Sequence, residues 1–219
     1  RKAKPEGSLR ISAPVALAQR VLKEPLTSFV SHHPGINLHV ELSDRFVDLV
    51  GEGFDLAIRI GHLEDSSLVA RRLSDVPMVL VGAPILLAEY GTPTTPEDLV
   101  DIPFIHYASE RVIQRLKLQR GHEEPVQVIT QAKLSTNNDQ MMVSFARAGQ
   151  GLILLPQFMV ETELEDGRLR EVLPEYRLFP ERKLYAVFPH GRHLPLKTRA
   201  LIDFLVANLH KNPEQLRLG

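Results

Sequence analysis

Arg59 poses the sharpest chemical question in this sequence. It closes the apolar run Leu56-Ala57-Ile58-Arg59-Ile60-Gly61, and an unpaired guanidinium on a strand buried on both faces costs several kcal/mol. It must therefore reach solvent, a protein carboxylate such as Asp44 or Asp65, or a bound anion. Ser12-Ala13-Pro14 stand between a short apolar strand and a helical pattern. The free backbone N–H groups and partial positive charge of that helix start suit a carboxylate, although Ser12 also reads as a plain helix cap. Thr136-Asn137-Asn138 open another helix in the same way, with capping again the alternative. Pro156-Gln157-Phe158 follow a further apolar strand and offer a wall for a ligand. Ligands of open α/β sheets bind beyond the carboxyl ends of the strands, and these stretches are all such ends.

Turnover has no comparable support. Cysteine is absent, which removes thiol nucleophiles, disulfides and cysteine-based zinc sites. There is no Walker A loop, no G-x-S-x-G elbow and no G-x-G-x-x-G after a strand. Gly149-Gln150-Gly151 follow a helix and read as its stop. His190-Gly191-Arg192-His193 have a metal-like spacing, but in a turn with no acidic partner nearby, so they read as a solvated loop. His32-His33 end a helix, where they complement its dipole. No catalytic residue, metal or cofactor is expected.

Charge narrows the partners. The sequence has 219 residues, 26 Lys+Arg against 27 Asp+Glu, and a net charge of −1, so it has no global field for holding DNA. The longest apolar run, Val76 to Ala88, is interrupted by Pro77, Gly82 and Pro84 and is too short for a membrane span, which needs ~20 apolar residues. No signal-peptide pattern opens the chain, and a cytoplasmic location with no membrane partner is expected.

The elements that position these residues are read from their periodicity. Leu9 to Ser12 form a strand, and Pro14 suits the first helical turn. Leu22, Leu26, Phe29 and Val30 lie at helical spacing up to Pro34-Gly35, with a bend expected at Pro25. Asn37 to Leu42 alternate like a strand, and Asp44 can cap a short helix with Phe46, Leu49 and Val50 on its apolar face. With Leu56 to Gly61 this gives strands and helices interleaved as in a parallel, doubly wound sheet. Further on, Ile113–Leu118 and Val126–Leu134 pair as a hairpin. A helix from Asp139 presents Met142, Phe145 and Ala146, Leu152 to Leu155 form a buried strand, and Phe158 to Leu164 form a helix. Leu184 to Phe188 form a late strand, and the last helix buries Leu201, Ile202, Leu205 and Leu209. The fold class expected is α/β with two Rossmann-like lobes, residues 8–82 with 184–211 and residues 83–183. Extended crossings near Leu80 and Val187 would join them around a cleft.

Taken together, several stretches resemble one family. They are Gly7-Ser8-Leu9-Arg10-Ile11-Ser12-Ala13-Pro14, Phe29 to Pro34, Asp48-Leu49-Val50-Gly51-Glu52-Gly53-Phe54-Asp55 running on to Arg59-Ile60-Gly61, and Asp65 to Leu73. Ala148-Gly149-Gln150-Gly151-Leu152, Leu155-Pro156 and Leu194-Pro195 to Leu205 complete the set. In this order and spacing the chain resembles the C-terminal effector-binding region of LysR-type transcriptional regulators. The resemblance implies a fold like the type 2 periplasmic solute-binding proteins and a small-molecule effector in the cleft. It implies effector contacts at Ser12, Ala13, Pro14, Arg59 and Gly61, and at Tyr107, Thr136, Asn137, Asn138, Pro156 and Phe158; Gly61 and Tyr107 enter through the resemblance alone. It further implies a homodimer or homotetramer formed through this region, and DNA contact only through a separate N-terminal winged helix-turn-helix, residues 1–7 being the tail of the linker to it. A free-standing solute-binding protein of a transporter is the alternative on the same fold.

Overall fold

A computed structural model describes residues 4–61, 68–107, 111–191 and 193–211. In chain order its first half holds β1 (Gly7–Ala13), α1 (Val15–Leu17), a π segment (Ala18–Leu22), α2 (Lys23–His32), β2 (Ile36–Leu42), β3 (Leu56–Gly61), β4 (Leu68–Val76), β5 (Met78–Gly82), α3 (Pro84–Tyr90), a 3-10 turn (Pro96–Asp101) and β6 (Pro103–Tyr107). There follow β7 (Ile113–Arg120), β8 (Val126–Thr136), α4 (Asp139–Arg147), β9 (Ile153–Pro156), a 3-10 turn (Gln157–Met159), α5 (Glu161–Glu165), β10 (Arg170–Glu171), β11 (Tyr176–Leu178), β12 (Arg182–Pro189) and α6 (Leu196–Lys211). These fall into two compact units: one runs up to Val76 and resumes at Lys183, and the other is Pro77–Arg182.

The first unit is built on a five-stranded sheet of order β2-β1-β3-β12-β4. β1 runs parallel to both β2 and β3, whereas β12 enters antiparallel to β3. A central parallel strand is covered on both faces, and Leu9, Ile11, Ser12 and Ala13 of β1 are accordingly all buried. Pro25, where a bend is expected, lies inside α2, and a π segment ends three residues before it at Leu22. Phe29 of α2 packs edge-on against Phe204 of α6 at 5.5 Å between ring centres and stacks on His33 at 4.4 Å. His32 and His33 place Nδ1 on the carbonyls of Ser28 and Phe29, satisfying groups that a helix end leaves open. Val30, expected on the buried face, is exposed instead.

The helix expected after Asp44 does not form. Residues 43–55 are turns, with Leu49 buried while Phe46 is 87% and Val50 72% exposed. Local side-chain bonds compete with a helix here: Asp48 Oδ1 accepts from the Gly51 N–H, and Glu52 Oε2 accepts from the Asp48 N–H. Arg10 ties this turn to β1, donating to the Glu52 carbonyl and the Glu41 carboxylate with its guanidinium 4.4 Å from the Phe54 ring centre.

The second unit has a three-stranded sheet, β10-β5-β9, and a four-stranded sheet, β11-β7-β8-β6. The expected hairpin is β7–β8, running from Ile113↔Gln131 to Leu118↔Val126. Its inner residues Leu116, Leu118 and Val128 join Leu80, Leu99, Phe104 and Leu152 in the core. α4 buries Met142, Val143 and Ala146; Phe145, expected in that set, is half-buried. The helix ends in a Schellman motif, with Gln150 N–H on the Phe145 carbonyl and Gly149 N–H on that of Ala146, Gly149 supplying φ of 74°. Gly151 then passes so close to β6 that a Cβ would lie 2.8 Å from the Pro103 carbonyl oxygen. The helix expected over Phe158–Leu164 is broken at Val160 into a 3-10 turn and α5. Among the described residues no helix is long and apolar enough to cross a membrane.

Candidate functional site

In the first unit the polar candidates gather at the carboxyl ends of β1 and β3. Ser12 pairs with Ala57 across the sheet, so Arg59 lies two residues further along β3. Ser12 is fully buried, and its Oγ accepts from Arg59 Nη2 at 3.1 Å. The same nitrogen reaches the Arg45 carbonyl at 3.2 Å, and Nη1 donates to the Ile58 carbonyl at 2.8 Å. The guanidinium is thus aimed by protein acceptors along the strand end. Of its two expected carboxylate partners, Asp65 lies outside the described residues, and Asp44 is engaged elsewhere.

Asp44 Oδ1 accepts the Val15 N–H at 3.0 Å, occupying the helix start that follows β1. Pro14 sits one position ahead of the expected first-turn place, as the extended N-cap, and its carbonyl accepts from Ala18 N–H at 3.0 Å. One of the helix N–H groups expected to await a ligand carboxylate, that of Val15, therefore already holds a carboxylate of the protein. This follows from strand register. Ala13 pairs with Leu42, and Ser43 N–H continues the ladder to the Ala13 carbonyl at 2.9 Å, which brings residue 44 beside residue 15. Arg45 is held by an ion pair with Glu52. The hydrogen bond from Arg45 holds the Glu52 carboxyl below its ordinary range against the opposing effect of desolvation. Gly61 ends β3 opposite Lys183, and no described atom lies within 4 Å of a Cβ built on it.

In the second unit Tyr107 and Thr136 are register partners at the ends of the parallel strands β6 and β8, with Tyr107 exposed. Thr136 Oγ1 accepts the Asn138 N–H at 3.2 Å, Asn138 Oδ1 caps α4 through the Met141 N–H at 3.0 Å, and Asn137 is exposed. Capping thus occupies Thr136 and Asn138, while Asn137 presents its side chain to solvent. Pro156 pairs with Met78 at the end of β9, and both it and Phe158 are buried. Arg192 of the histidine turn lies outside the described residues, and among the described residues no three potential metal ligands cluster.

His106, next to Tyr107, was not singled out from the sequence. It is 4% exposed, with Nε2 3.0 Å from Thr130 Oγ1 and Nδ1 3.4 Å from the Arg111 carbonyl. Burial pushes its pKa below the ordinary value, partly offset by the Arg111 carbonyl. The folded protein thus binds this proton less readily than the unfolded chain. Stability is full above about pH 6.5, the ordinary histidine pKa, and falls as pH drops through that value towards the lower folded pKa. Urea unfolding between pH 8 and 5 should show that decline, and His106→Gln should flatten it relative to the parent.

A family model described as the LysR substrate binding domain matches residues 2–210. The HTH-type transcriptional activator AaeR of Escherichia coli is 33% identical over 201 residues, covering 92% of this chain and 64% of that protein. The HTH-type transcriptional regulator PtxR of Pseudomonas aeruginosa is 33% identical over 212 residues, covering 97% and 67%. The chain spans about two thirds of the length of these curated relatives. Among solved structures, the full-length Vibrio cholerae virulence activator AphB, described as a member of the LTTR family, superposes with a TM-score of 0.73 at 29% identity, covering 93% of this chain and 69% of that one. The CrgA regulatory domain of Neisseria meningitidis gives 0.73 at 24% identity, covering 94% and 100%, a likeness of fold.

Proposed function

Because the chain belongs to the LysR substrate-binding domain family, the effector-binding part of LysR-type transcriptional regulators, we propose that it senses a small organic anion and passes that event to the DNA-binding part of the whole regulator. One observation carries the anionic reading: a guanidinium, Arg59, hydrogen-bonded to a fully buried serine at the carboxyl ends of two parallel strands. A forked cation held by protein acceptors at a sheet's ligand end suits a carboxylate. Ala13, Pro14 and Gly61 are proposed as its backbone surroundings. Tyr107, Thr136, Asn137, Asn138, Pro156 and Phe158 are proposed as effector positions of the second unit. The regulator is proposed to act in the cytoplasm as a homodimer or homotetramer. An effector that favours one conformation ~100-fold contributes about 2.7 kcal/mol of coupling, within the usual range for allostery. The free-standing solute-binding alternative gains nothing from the relatives above, which are transcriptional regulators by name.

A thermal-shift screen of this chain tests the reading with aromatic acids, amino acids and sugar acids, each beside its neutral amide. A ligand at about a hundred times its Kd adds ~2.7 kcal/mol and raises Tm by a few degrees. Acids that stabilise where their amides do not are the expected result. Stabilisation confined to neutral compounds would overturn the anionic effector.

A further inference from the structure

We infer that Glu52 is a positioning residue of the proposed anion site: through Arg45 it sets the aim of the Arg59 guanidinium. The inference rests on the anionic reading above and deepens it by naming what holds the anchor. Arg59 Nη2 has acceptors on two different segments, the Ser12 hydroxyl of β1 at 3.1 Å and the Arg45 carbonyl at 3.2 Å. Ser12 is fixed by full burial in a paired strand. Arg45 has no such support, since residues 43–55 are turns and its side chain is exposed. A separate restraint must keep its carbonyl in place.

Glu52 supplies that restraint. Its two carboxylate oxygens take the two Nη groups of Arg45, Nη1 on Oε2 at 3.2 Å and Nη2 on Oε1, and Oε2 also accepts the Asp48 N–H at 2.8 Å. A lone exposed ion pair is worth little, but a forked Arg–carboxylate pair fixes direction as well as distance. Glu52 is itself tied to the sheet. Its carbonyl accepts from Arg10 Nη1 at 2.7 Å, and Arg10 also reaches Glu41 and lies over the Phe54 ring. Contacts therefore run from Arg10 of β1 through Glu52 and Arg45 to Arg59. Ser12 stands two residues beyond Arg10 on the same strand, so β1 carries both supports of Nη2, one directly and one through Glu52. The neighbours of Arg45 are held separately, Asp44 on the Val15 N–H and Val47 against the cluster of Leu49, Phe54 and Ala57. Phe46 is almost wholly exposed and adds little packing. At Arg45 itself the holds are the ion pair and its N–H bond to Ser43 Oγ at 3.3 Å.

The Arg59 side-chain N–H signals are followed by NMR in the ligand-free parent chain, Glu52→Gln and Arg45→Ala, and are assigned by their loss in Arg59→Ala. Glutamine keeps an oxygen for the Asp48 N–H and loses the charged fork, so it guards the turn. Arg45→Ala removes the other half of the fork and keeps the backbone carbonyl. A guanidinium held on fixed acceptors gives separate Nη signals, whereas one free to turn gives a merged signal. Separate signals in the parent and merged ones in both variants are expected. Acetate is then titrated at constant ionic strength against chloride, with acetamide as the uncharged control. Its midpoint at Arg59 should be about tenfold higher in both variants than in the parent, a coupling of the size found between contacting residues, and acetamide should have no effect. Unchanged signals or equal midpoints in the three chains would overturn the positioning role and leave the anionic reading standing. Acetate without effect on Arg59 in every chain would overturn both.

Discussion

Arg59→Ala is expected to weaken binding of an anionic effector by about 2–5 kcal/mol, or roughly thirty- to several-thousand-fold in Kd. The loss is large because a carboxylate drawn to the carboxyl ends of β1 and β3 would be left without its counter-charge. The fold should tolerate the change. Arg59 is partly exposed, and its acceptors include the Ser12 hydroxyl and two carbonyls, contacts worth about 1.5–3 kcal/mol net each for a charged donor and less where solvent screens them. Arg59→Lys should fall between, since a lysine keeps the charge but cannot present two parallel N–H groups. Calorimetric titration with the best acid from the thermal-shift screen measures all three. An unchanged Kd in Arg59→Ala would remove this residue from the site.

The second large effect concerns stability. Phe29 is fully buried between α2 and α6, touching both His33 and Phe204, and Phe29→Ala should cost about 3–5 kcal/mol in urea unfolding. Val30→Ala, one position along and at the surface, should stay within about 0.5 kcal/mol. Equal losses at the two positions would contradict the helix face described here.

That pair also marks how far the sequence could be read. Strong periodicity locates the elements: β1, the β7–β8 hairpin and α6 with Leu201, Ile202, Leu205 and Leu209 inside were all legible. Faces were less so. Val30 lies on the rim of the face that Leu22, Leu26 and Phe29 bury, and periodicity marks a face without fixing where its edge runs. The turn after Asp44 misled because Phe46, Leu49 and Val50 imitate a helix face, while Asp48 and Glu52 satisfy the local backbone without one. At the site, Ser12 and Arg59 stood out by burial and charge. Asp44 at Val15 did not, because that contact spans the β1–β2 register and exists only once the two strands are paired. His106 was silent for a similar reason: its partner Thr130 lies on another strand.

The place of β12 has a consequence for how the protein is made. This late strand stands between β3 and β4, so the first sheet cannot close until the ribosome has passed Pro189. The whole of Pro77–Arg182 is synthesised in the meantime. At about 5–20 residues per second, roughly a hundred residues take about 5–20 s. The unit contained in that stretch has all its strands and can fold as it emerges, whereas the older strands wait with an open seam that invites mispairing. The nascent chain thus completes its second unit before its first.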